Sequence, residues 1–228
     1  SNTELDNIKA SDLIDILHNL TNYKHKVLYY GPLSNQALVT ALGKAHPLPA
    51  SFKPTPAVHQ FNYMPTSSNR VLFADFDMVQ SELRWIRNGE IYDPNNAPVI
   101  NLFNEYFGGS MSGIVFQDIR ESKALAYSAG ARYGEPIKKG EPYIMSGSIG
   151  CQADKMKESI AAMNALLTDL PQSDKMLDQA KTSILNNIST TRITKTGILM
   201  SYLGAMRKGL TADSREQVYR EINNLNFE

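Results

Sequence analysis

Arg120 and Tyr127 are the residues best suited to chemistry in this 228-residue chain. They stand seven positions apart in Arg120-Glu121-Ser122-Lys123-Ala124-Leu125-Ala126-Tyr127, where a helix is expected to give way to a strand. Arginine is a permanent cation with a planar fork of donors, and tyrosine is a neutral phenol donor at ordinary pH. The pair therefore suits gripping a peptide carbonyl oxygen better than moving protons. On the residues alone, the plainer account is a surface arginine paired with a carboxylate and a tyrosine set in a core.

The other reactive types offer less. His18, His25, His46 and His59 do not form the one-turn pairs that helical metal sites use, and Cys151 has no second cysteine to join it. These histidines read as surface or helix-end residues, and Cys151 reads as a small core residue. Asp75 and Asp77 alternate with Leu72, Ala74, Phe76 and Met78, which places the carboxylates on the solvated side of an amphipathic strand. Gly108 and Gly113 have the spacing of a phosphate loop, but Ile114 and Val115 replace the lysine and hydroxyl that such a loop needs.

The elements that must position Arg120 and Tyr127 follow from periodicity. A helix is expected over about 5–20, a strand over 26–31 closed by Gly31-Pro32, and a helix from an N-cap at Ser34 to about Lys44. Prolines 47, 49, 54 and 56 make the next stretch an extended connector. Strands are expected over 70–79 and 83–87, then a helix over 95–106 ended by a left-handed cap at Gly108-Gly109. A helix over 112–122 buries Val115 and Ile119. It leads into strands over 125–133 and 143–151, the second carrying Tyr143, Met145, Ile149 and Cys151 on one face. Met156, Ile160, Met163, Leu167 and Leu170 form a helical stripe, and Met176, Leu177, Ala180, Ile184 and Ile188 form another. Methionines at this spacing read as core filling.

Composition narrows the partners. Lysine plus arginine equals aspartate plus glutamate at 23 each, so there is no basic field for nucleic acid. No apolar run approaches the ~18–20 residues needed to span a bilayer. Neither a nucleic acid nor a membrane is an expected partner, and a soluble protein of the bacterial periplasm or cytoplasm fits equally. The start at Ser1-Asn2 is expected to be a remnant of excision from a longer chain.

Gly108-Gly109, Arg120-Glu121 and Leu125-Ala126-Tyr127 together resemble the inverted zinc peptidases of the pitrilysin, insulin-degrading enzyme and mitochondrial processing peptidase family. Later domains of that family carry a glycine-rich turn followed by R-E-x-x-G-L-A-Y. Ala124 stands where the family has glycine, and Ile114 where many members have arginine. The H-x-x-E-H zinc motif is missing from the sequence. The resemblance implies a C-terminal-type, non-zinc domain spanning residues 1–228. With the element order, it implies an α+β fold of two layers, a largely antiparallel mixed sheet with helices mainly on one face. It further implies that Arg120 and Tyr127 bind substrate while an unfolded peptide is cut at zinc held by a companion domain or subunit. No catalytic residue, metal or cofactor is then expected in this chain. The alternative within the same family is a non-catalytic scaffold or binding subunit.

Overall fold

The computed structural model describes residues 2–57 and 63–228. The chain divides into two compact units, residues 1–62 and 63–228. His59 and its neighbours lie outside the described residues.

The first unit contains α1 (Asn2–Leu5), α2 (Ala10–Asn19) and α3 (Asn35–Ala45). The opening helix is shorter than its apolar spacing suggests, because the Lys9 backbone N–H is taken by the Asp12 carboxylate at 2.9 Å, which starts α2 there. Ser34 caps α3 as expected, its hydroxyl accepting the Ala37 N–H at 3.3 Å. The strand expected over 26–31 is not formed: the segment joins no ladder. A strand needs a partner, and the pairing found among the described residues of this unit is a single parallel bridge between Tyr23 and Lys53. Tyr29 instead turns back on the Gly31-Pro32 bend, and its hydroxyl accepts the Leu33 N–H at 3.1 Å.

The second unit is built on β1 (Gln80–Ile91), β2 (Ser128–Gly134) and β3 (Pro142–Gln152), antiparallel throughout in the order β1-β3-β2. Five helices accompany it among the described residues: α4 (Ala97–Phe107), α5 (Met156–Thr168), α6 (Asp174–Thr190), α7 (Lys195–Lys208) and α8 (Ser214–Glu221). The fold is α+β. The register places Trp85, Gly147 and Ala131 in one row and Glu82, Gly150 and Ser128 in another. Because side chains alternate along each strand, these rows belong to opposite faces.

Helices cover the first face. Ile149 is fully buried and Cys151 nearly so, in one cluster with Met163 and Leu166 of α5, Leu177 and Ile184 of α6 and Val218 of α8, while Tyr143, also fully buried, packs in a second cluster with Tyr92 and with Ile100 of α4. Each apolar side chain buried this way contributes ~1.5–3 kcal/mol. Polar links fix the layers: Trp85 donates to Asn164 of α5 at 2.9 Å, and Tyr106 of α4 donates to the Pro171 carbonyl at 2.7 Å. The methionine reading holds at Met163, although the buried stripe of α5 runs through Ser159, Ala162, Met163 and Leu166, leaving Ile160 and Leu167 at its edge.

Two local expectations are corrected. The stretch 70–79 forms no strand, and the ladder begins only at Gln80. Val71, Leu72, Phe73 and Phe76 are all exposed, so the alternation around Asp75 and Asp77 sorts no buried face from a wet one. Helix α4 does end at Gly108, but with φ −157° and ψ 5°, which is not a left-handed cap. Glycine is required there by proximity, since a Cβ would lie 2.5 Å from the Ala131 nitrogen. That closeness lets the Gly108 carbonyl accept the Ala131 N–H at 3.2 Å. Two residues along, Asn104 imitates a neighbouring strand, accepting from the Tyr133 N–H at 2.7 Å and donating to the Tyr133 carbonyl at 3.0 Å.

Candidate functional site

Arg120 is positioned by a buried anchor. Ile114, Val115 and Ile119 are buried in the core, and the helix that carries them widens into a π-helical turn over Phe116–Ser122. The turn closes through wide hydrogen bonds: Lys123 N–H to the Asp118 carbonyl and Leu125 N–H to the Ile119 carbonyl, both 3.0 Å. Between them, Ala124 adopts φ +50°, the left-handed conformation that commonly ends a helix and that glycine takes without steric cost. This explains why glycine is the usual residue of the resembled motif at that position. It also shows that Ala124 keeps the geometry at some strain.

Arg120 follows the buried Ile119 and projects outward, its side chain 44% exposed. Its guanidinium lies over the Phe116 ring at 4.8 Å, and its Nε is 3.6 Å from Glu121 Oε1. Such exposed contacts restrain the group weakly, which leaves its donors available.

Tyr127 stands just before β2, and its N–H donates to the Gly150 carbonyl at 3.1 Å. The ring lies over Gly150 on the face of the sheet opposite the helices and is 47% exposed. Its hydroxyl donates to Glu82 Oε1 at 3.0 Å, and the other oxygen of Glu82 is 3.6 Å from Arg84 Nη2. The Glu82 bond is the main reason the Tyr127 pKa is raised, with desolvation second, so the phenol keeps its proton at neutral pH. Both sequence-expected residues are thus accessible donors. No hydrogen bond or cation–π contact joins them, because Arg120 engages Phe116 and Glu121 while Tyr127 engages Glu82.

Sequence reasoning missed two groupings. Glu82 lies 45 positions from Tyr127, and nothing in its neighbourhood marks it except an outward place on an alternating strand. His25 and His46, 21 positions apart, bring their Nε2 atoms within 2.8 Å, while His25 Nδ1 lies 2.7 Å from the Tyr23 carbonyl. Among the described residues, no group of three or more histidine, cysteine, aspartate or glutamate side chains could hold a metal ion. None of the described helices is long and apolar enough to cross a membrane. The broad depression bordered by Lys175, Asp178, Thr182 and Asn186 on α6 involves neither Arg120 nor Tyr127.

Residues 26–184 match the family described as the peptidase M16 inactive domain. A curated relative, an uncharacterized zinc protease YmxG of Bacillus subtilis strain 168, is 30% identical over 133 residues, which is 56% of this chain and 31% of the relative. The chain therefore spans about a third of that protein's length. The peptidase M16 inactive domain from Pseudomonas fluorescens shares the fold with TM-score 0.52 at 19% identity, covering 66% of this chain and 36% of that one. The periplasmic protease PqqL from Escherichia coli shares it with TM-score 0.62 at 11% identity, covering 86% of this chain and 22% of that one.

Proposed function

The chain belongs to the peptidase M16 inactive-domain family, and from that premise we propose that it is the substrate-holding part of a zinc endopeptidase. Its role is to present Arg120 and Tyr127 to the backbone of an unfolded peptide, while the zinc resides in a companion domain or subunit. The observation that carries this reading is that both donors of the resembled motif stand exposed at the two ends of one tight connection, a π turn anchored by the buried Ile119 on one side and the sheet on the other. A core tyrosine, the plainer account of the sequence, would have been covered; Tyr127 is not.

The chemistry asked of these side chains is modest and specific. During attack on a peptide carbonyl, negative charge grows on its oxygen, and donors already in place stabilise that charge without reorganising. The guanidinium supplies charge and a fork of donors, and the phenol supplies a neutral donor that remains protonated. The chain's own residues bind and orient; they transfer no proton and form no covalent bond. When bound in the companion region, zinc would supply the activated water.

The test is Tyr127→Phe in the complete protein that carries the zinc region. Loss of one such donor should lower peptide turnover by roughly a hundredfold, with zinc content unchanged. Unaltered cleavage would remove the substrate-holding role and leave the scaffold reading in its place.

A further inference from the structure

We propose that Glu82 is a positioning residue for Tyr127, holding the phenol across the open face of the sheet so that it meets a peptide already aimed; this rests on the substrate-holding role proposed above. The geometry is that of a strut spanning three strands. Glu82 on β1, Gly150 on β3 and Ser128 on β2 occupy one row of the register, and Tyr127 immediately precedes Ser128. Neighbouring strands lie ~4.8 Å apart, so the phenol and the carboxylate must together bridge two intervals, and nothing may rise from β3 between them. Gly150 meets that condition: a Cβ there would lie 2.5 Å from the Tyr127 hydroxyl and 2.6 Å from its ring carbon Cζ.

One carboxylate oxygen accepts the Tyr127 O–H at 3.0 Å, which fixes the phenol from beyond its tip, and the other faces the exposed Arg84 guanidinium at 3.6 Å, a pair that adds only weak restraint. The Ser128 hydroxyl also touches the phenol, but without the Glu82 contact the ring tip would be less confined over an open surface and would have to be ordered further when substrate binds. With the contact, the O–H needs only to turn from Glu82 to the arriving carbonyl oxygen.

The experiment uses the complete zinc-bearing protein and an unfolded peptide substrate, comparing Glu82→Ala, Glu82→Gln, Tyr127→Phe and the Tyr127→Phe/Glu82→Ala double variant. Glu82→Ala should lower kcat/KM roughly three- to tenfold, as expected for one net hydrogen bond. Glu82→Gln, whose amide oxygen still accepts the phenol proton, should recover more than half of the activity. The double variant should be no worse than Tyr127→Phe alone. In parallel, tyrosinate absorbance titrated with pH and differenced against Tyr127→Phe should show Tyr127 ionising at lower pH in Glu82→Ala than in the parent. Wild-type cleavage by Glu82→Ala beside an impaired Tyr127→Phe overturns the inference, as does an additive double variant or an unmoved Tyr127 titration. A Tyr127→Phe variant that cleaves normally instead removes the substrate-holding reading, and the inference goes with it.

Discussion

The two faces of the three-stranded sheet use the same residue types for opposite ends. On the covered face Tyr143 is fully buried and donates to the Asp93 carbonyl at 2.7 Å, while desolvation pushes its pKa up to about 12. On the open face Tyr127 is half exposed and donates to a carboxylate that solvent can reach. The covered tyrosine satisfies a fixed carbonyl and locks the sheet to the segment before α4. The open one rests on a contact it can exchange. Burial makes a hydrogen bond structural, and exposure makes the same bond available for a ligand.

The isoleucines give the sharpest way to break that comparison. Ile149→Ala, on the covered face, should destabilise the chain by ~2–5 kcal/mol, because its side chain is fully buried and leaves a cavity. Ile86→Ala, where the side chain is 68% exposed on the open face, should change stability by no more than ~0.5 kcal/mol. Denaturant titration of both variants measures the contrast directly, and equal losses would mean that the open face is covered in solution.

The glycines offer a smaller effect at matched geometry. At both Gly108 and Gly150 an added Cβ would lie 2.5 Å from its nearest neighbour, but that neighbour is the Ala131 backbone in the first case and the tip of Tyr127 in the second. Gly108→Ala should cost ~1–3 kcal/mol. Gly150→Ala should leave the melting temperature nearly unchanged while displacing Tyr127, visible as altered near-ultraviolet circular dichroism. The smallest effect concerns the link between the faces. Ala124→Gly relieves the left-handed strain at φ +50° and should raise stability by ~1 kcal/mol, read as a higher denaturant midpoint with an unchanged slope.

The sequence was a good guide wherever an element carries its own evidence of burial. Tyr143, Ile149 and Cys151 share the covered face as their spacing implies, α6 buries Leu177, Ala180 and Ile184, and Ser34 caps α3. Residues 26–31 and 70–79 have equally strand-like patterns yet join no ladder, because alternation records amphipathicity and says nothing about whether a partner strand is at hand. At the proposed site, the motif is what singles out Arg120 and Tyr127, whose exposure the structure shows, and the left-handed backbone at Ala124 falls where the sequence departs from that motif. Glu82 was not legible. Its role depends on a strand register linking residues 45 positions apart, and an outward glutamate on a strand looks like any solvated carboxylate until that register is known.

The side-chain amide of Asn104 has a consequence for growth of the sheet. By occupying both backbone groups of Tyr133, with the Gly108 carbonyl taking the Ala131 N–H nearby, α4 seals the outer margin of β2 against strand-by-strand enlargement. Any enlargement of this layer must therefore proceed from β1, which makes the layer directional and guards one flank against edge-to-edge aggregation.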